Sequence, residues 1–93
     1  MRNYYKAVVG TTAQRVVEQN AMRTGIGIAN LSGVNAIYIG ADSQVSIDNG
    51  FPVQPGTQIT FNEGFGDRPD MERWIISSGG GTDVRIIEEY GGE

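Results

Sequence analysis

Ala36-Ile37-Tyr38-Ile39-Gly40 sets two isoleucines on one side of the chain and a tyrosine on the other. That is the period-two alternation of a strand with one buried face. Its β-branched and aromatic residues suit a pleated, half-covered surface. Working outward, the alternation returns in Val45-Ser46-Ile47 and in Gln58-Ile59-Thr60-Phe61-Asn62. It also runs through Met22 to Leu31, where Met22, Thr24, Ile26, Ile28 and Asn30 share a side against Arg23, Gly25, Gly27, Ala29 and Leu31. The small residues on that second side leave room for another layer to approach.

Five further segments read as strands: Tyr5 to Val9, Ala13 to Gln19, Phe51-Pro52-Val53, Trp74 to Ser77 and Asp83 to Tyr90. Pro52 cannot donate to a ladder, which restricts its segment to an edge or a strand start. Between the strands lie turn signals: Asp48-Asn49-Gly50, whose residues tolerate positive φ, Pro55-Gly56 with type II chemistry, and Ser78-Gly79-Gly80-Gly81-Thr82. A helix over Thr12 to Asn20 is the competing reading, with Thr12 as cap, but the β-branched pair Val16-Val17 favours a strand. The connections are too short for crossover helices, so the strands pair antiparallel. The pattern predicts one all-β domain over residues 1–93, a jelly-roll-like antiparallel sandwich of about seven to nine short strands. Ile26, Ile28, Ile37, Ile39, Val45, Ile47, Ile59, Phe61, Ile75, Val84 and Ile86 are its expected core.

Composition narrows the function. Ninety-three residues with no cysteine and no histidine can form neither a disulfide nor a Cys- or His-based metal site. A domain of this size buries only about two-thirds of its unfolded surface, so subunit contacts would supplement a small core. The net charge is −4, and the seven cations are scattered, which gives no basic face for nucleic acid. Met1 to Lys6 lacks an apolar leader core, and no apolar stretch is long enough to span a bilayer, so neither a signal segment nor a membrane is expected.

Without histidine or cysteine, the groups able to move protons or attack a substrate shrink to carboxylates, Lys6, tyrosines and hydroxyls. Asp42 and Asp48 sit at turns, where their side chains bond nearby backbone, and Glu63, Asp67 and Asp70 share one polar loop. Asp42 to Asp48 lacks the glycine and terminal glutamate of a calcium loop. The glycine run at 79–81 lacks the lysine and following helix of a phosphate loop, and Gly25-Ile26-Gly27 is too short for a dinucleotide fingerprint. No catalytic residue, metal ligand or cofactor is expected, and the chain reads as a binding or structural module. Trp74, Tyr38, Phe51, Phe61 and Phe65 could stack against a sugar, although aromatics of this kind more often fill cores or interfaces.

Val34 to Gly40, then Val45 to Gly56, then Trp74 to Ser77 and Asp83 to Glu88 follow one another in an order that resembles small β-sandwich virion proteins of tailed phages and archaeal viruses. Some of these are head-decorating, spike or fibre-like proteins. The resemblance covers about the last two-thirds of the chain and leaves Met1 to Asn20 outside it. It carries strand and turn positions and no site residue. It implies a structural role in a virion, after synthesis in the host cytoplasm, with the major capsid protein or other virion proteins as partners. Self-association is expected too, with a trimer favoured, because the glycine-rich side of Met22 to Leu31 cannot fill its own space. Tyr4, Tyr5, Phe65 and the neighbouring Arg68 are the expected partner contacts, since they lie outside the core pattern. The alternative is a carbohydrate-binding or adhesion sandwich.

Overall fold

A computed structural model describes residues 2–62 and 68–90. Eight strands follow in order: β1 Arg2–Val9, β2 Gln14–Val17, β3 Arg23–Asn30, β4 Ile37–Gly40, β5 Phe51–Val53, β6 Gln58–Asn62, β7 Arg73–Ser77 and β8 Thr82–Tyr90. They build two four-stranded sheets, β1-β8-β3-β6 (sheet I) and β2-β7-β4-β5 (sheet II), with every pairing antiparallel.

The strand orders express one nested hairpin. β4 pairs with β5, β3 with β6, β2 with β7 and β1 with β8, so the two halves of the chain run alongside each other from the middle outward. Wrapping that long ribbon brings β3 against β8 and β4 against β7, which closes the sheets. This is the jelly-roll winding of an eight-stranded double sheet. Among the described residues no helix occurs, and Gln14–Val17 is a strand as its β-branched pair indicates.

Side chains from both inner faces form the core: Val9, Val84, Ile86, Ile26 and Ile28 from sheet I, and Val17, Ile37, Ile39, Val53 and Ile75 from sheet II. Ile59 and Phe61 pack against its border, with Arg73 lying over the Phe61 ring at 4.5 Å. The Pro55-Gly56 turn forms as expected, with Gly56 at φ 76° and the Thr57 amide donating to the Gln54 carbonyl at 3.1 Å. Pro52 lies on β5, an edge strand.

Two expectations are corrected. Val45-Ser46-Ile47 is a turn segment and not a strand, and Ile47 is 54% exposed. Local polar groups capture its backbone: Asn49 Oδ1 accepts from the Ser46 amide at 2.8 Å, Asn49 Nδ2 donates to the Gln44 carbonyl at 3.1 Å, and the Gly50 amide donates to the Ser46 carbonyl at 2.9 Å. Val45 alone turns inward, onto Gly40 and Gly50, where an added Cβ would come within 2.6 and 2.9 Å of its side chain. Gly50 is therefore required by close packing rather than by a positive φ.

The second correction concerns β3. A bulge between Arg23 and Gly25 shifts the register against β8, so Arg23 points inward with Ile26 and Ile28, while Met22 is 70% exposed.

Candidate functional site

The outer face of sheet I carries an open, largely apolar groove. β3 contributes Gly25, Gly27 and Ala29 to this face, because its neighbours Ile26, Ile28 and Asn30 point into the sandwich. β8 turns Asp83, Arg85, Ile87 and Glu89 outward, and β1 turns out Arg2, Tyr4, Lys6 and Val8. The missing side chains of β3 leave a groove of about 540 Å³, floored by Gly27 and Ala29 and walled by Ile87, Tyr4, Thr60 and Gln58. Ile87 leans across the floor: a Cβ on Gly27 would lie 2.7 Å from its Cγ2.

Two ion pairs form on this face, and Lys6 adds a further cation beside the groove. Arg85 Nε donates to Asp83 Oδ1 at 2.9 Å, and Arg2 Nε lies 3.2 Å from Glu89 Oε2. The hydrogen bond from Arg85 holds the Asp83 carboxyl below its ordinary range. What remains is a shallow apolar trough with a polar rim, suited to contact with another surface.

A second recess of about 350 Å³ opens at the end where β3 begins, between Asn3, Glu18, Asn20 and Tyr90, and Arg23 and Glu88 close its base. Arg23 Nη1 donates to Glu88 Oε2 at 2.8 Å, its Nε to the Pro69 carbonyl at 2.7 Å, and its Nη2 to the carbonyls of Glu18 and Met71 at 2.6 and 3.1 Å. Glu88 Oε1 accepts from Asn3 and Tyr90. Tyr5 points into the same end and donates to the Val16 carbonyl at 3.1 Å. Burial, with the Glu88 charge nearby, pushes its hydroxyl well above the usual tyrosine range.

Every buried side-chain nitrogen and oxygen among the described residues has a partner, so the buried base of this recess is satisfied from within the chain. A third polar group, Asn30, Asn35, Ser77 and Thr82, is likewise closed on itself: Asn30 Nδ2 donates to the carbonyls of Asn35 and Val53, and Asn35 Nδ2 to Thr82 Oγ1. It ties β3, β5, β7 and β8 together at the other end of the sandwich.

The sequence-expected contact residues separate. Tyr4 is 66% exposed on the groove wall, whereas Tyr5 faces inward. Arg68 is exposed, and both its ends are held by the Asp70 carboxylate, at 3.2 and 3.1 Å. That grip keeps the Asp70 carboxyl below its ordinary range. Phe65 lies outside the described residues, as do Glu63 and Asp67. Asp42 Oδ1 accepts from the Gln44 amide at 2.9 Å, the turn role expected of it. Among the described residues no cluster of three or more acids could hold a metal, and no helix is long and apolar enough to cross a membrane.

The aromatics considered for sugar stacking do not all share a face. Trp74 and Tyr38 lie on the outside of sheet II, where the Trp74 indole donates to Glu72 at 2.6 Å. Phe61 faces the core, and Phe51 is 57% exposed on the β5 edge.

The Arg23–Glu88 pair was absent from the sequence-based candidates. Half of it was signalled, since Glu88 continues the inward alternation of Val84 and Ile86, and an inward carboxylate requires a buried cation. The other half depended on the bulge. Comparison of the chain with protein-family models, with characterised sequences and with solved structures gives no match.

Proposed function

We propose that this domain is a virion structural protein, a capsid-decorating or spike-like component acting by protein–protein contact. The observation that carries the reading is the outer face of sheet I. Its apolar groove is broad and shallow, and two of the three cations beside it are held in Asp83–Arg85 and Arg2–Glu89, with Lys6 on its rim. Such a face favours a flat apolar partner over a small charged substrate. The ordered resemblance of Val34 to Glu88 to virion sandwiches supplies the setting, with capsid proteins and further copies of the chain as partners.

The test is co-sedimentation of the purified chain with capsids of the virus that encodes it. Wild type should pellet in a fixed ratio to capsid protein, and Ile87→Asp, which alters the groove wall and not the core, should stay in solution. A chain that never pellets overturns the capsid role.

A carbohydrate-binding module is the second reading, and it rests on Trp74 and Tyr38 sharing the outer face of sheet II. Quenching or enhancement of Trp74 fluorescence by a glycan, saturating with concentration, would favour it.

A further inference from the structure

We propose that two copies of the chain join through their β1 strands, antiparallel about a twofold axis at Tyr5, to make one continuous eight-stranded sheet from the two copies of sheet I. This names the self-contact within the role proposed above.

The four sheet edges are not alike. β5 has three residues and carries Pro52, and β2 has four and is bulged between Arg15 and Val17. β6 has five residues. Short length, proline and bulges are the usual means of blocking edge-to-edge pairing. β1 has none of the three: eight residues, without proline or glycine, hold an unbroken register with β8 from Arg2–Glu89 to Val9–Thr82, and of the charges that also discourage pairing it carries Arg2 and Lys6, which bear on the register.

The groups on its free edge can be identified. The Leu31 amide donates to the Asp83 carbonyl, so the odd-numbered residues of β8 bond towards β3 and the even-numbered ones towards β1. Their partners Asn3, Tyr5, Ala7 and Val9 therefore use their backbone groups inside the sheet. Arg2, Tyr4, Lys6 and Val8 turn theirs outward, and the Val8 carbonyl does receive a bond from outside the ladder, from Gln14 Nε2 at 3.2 Å. All four residues are exposed. Apart from that Val8 carbonyl, which Gln14 already engages, the outward amides and carbonyls are open, and a long strand of this kind accepts another.

The charge pattern selects that strand and its register. In an antiparallel pair about a twofold axis, outward side chains must face outward side chains, so a single residue meets its own copy. Centring on Tyr4 sets Arg2 against the partner's Lys6, and centring on Lys6 sets Lys6 against the partner's Lys6; like charges directly opposite oppose pairing. Centring on Tyr5 sets Arg2 against the partner's Val8, Asn3 against the partner's Ala7 and Tyr4 against the partner's Lys6. No like charges meet, the whole strand is used, and each ammonium faces a tyrosine ring. Tyr4 and Lys6 are bonded pairs in this register, so each exchanges both its backbone bonds with the partner. The strand is thus the complement of its own reverse, and the grooves beside the two Tyr4 rings lie on one continuous face.

The chain has no cysteine, so Val8→Cys carries a single spin label on an exposed outward position. Light scattering after size exclusion should give twice the 10.0 kDa chain mass. Pulsed electron spin resonance should report a backbone separation of about 20 Å, six residues at roughly 3.3 Å each. Tyr4→Lys places ammonium against ammonium and should halve the mass, and Tyr4→Lys with Lys6→Glu should restore it. A monomer up to the solubility limit, a trimer, or a label separation nearer 13 or 27 Å, as neighbouring registers would give, overturns the pairing. If Tyr4→Lys does not fold, the mass and the label distance of Val8→Cys decide alone. A monomer that still pellets with capsids would remove the β1 pairing and leave the capsid role standing.

Discussion

Arg23 and Glu88 meet inside the sandwich, Nη1 to Oε2 at 2.8 Å, with side-chain exposures of 1% and 8%. The same guanidinium gathers the Glu18, Pro69 and Met71 carbonyls, so it fastens the end of β2 and the segment before β7 to β8. Removing either charge leaves the other buried without its partner, at a cost of about 3–5 kcal/mol. Arg23→Met and Glu88→Met should each lose that much in urea unfolding, a large share of the roughly 5–15 kcal/mol of a small domain. The double variant should lose less than the sum, because no unpaired charge remains.

Val45 is buried as expected, whereas Ile47 is exposed where the core was expected. Val45→Asp should cost several kcal/mol, since the carboxylate would enter the contact with Gly40 and Gly50. Ile47→Asp should change stability by less than about 0.5 kcal/mol, as for other exposed sites. Denaturant midpoints of the two variants, compared at equal slope, check this directly.

Gly27 and Ile87 are coupled across sheet I. Gly27→Ala should destabilise by about 1–3 kcal/mol, because its methyl group meets Ile87 Cγ2 at 2.7 Å. With Ile87→Ala in place the same change should become neutral or gain about 0.5–1 kcal/mol, the ordinary advantage of alanine over glycine within a strand. A double-mutant cycle showing no coupling would contradict this contact.

Tyr5 predicts the alkaline limit. Burial raises its pKa above the ordinary value of 10.0, so the folded state keeps its proton where the unfolded state has lost it. Its contribution is complete below the unfolded pKa and declines as pH rises from about 10 towards the folded value. Melting temperature should therefore fall above about pH 10, and Tyr5→Phe should flatten that decline while leaving the neutral-pH fold intact.

Most of the strand plan was legible because apolar alternation is local and the core has one side. Ile37 and Ile39, Ile26 and Ile28, Val84 and Ile86 are buried as their spacing requires, and Pro55-Gly56 turns as its chemistry requires. Val9, Val17 and Val53 joined the core without having been singled out, since each is the inward last residue of its strand and its burial depends on the opposite sheet. Of the contact residues, Tyr4 and Tyr5 are adjacent in sequence, and only their pairing with Ile87 and Ile86 sends one to the groove and the other to the interior.

By itself the sequence determined an all-β antiparallel sandwich, because period-two alternation, short connections and turn residues admit little else. Tertiary structure alone decided the nested pairing that makes β1 both the partner of β8 and an edge strand, for these contacts join residues 73 to 87 positions apart. It also decided the inward turn of Arg23 and the loss of the strand at Val45 to Ile47. A bulge inverts side-chain parity, and side-chain hydrogen bonds compete with a ladder; neither is visible until the neighbouring strand is in place.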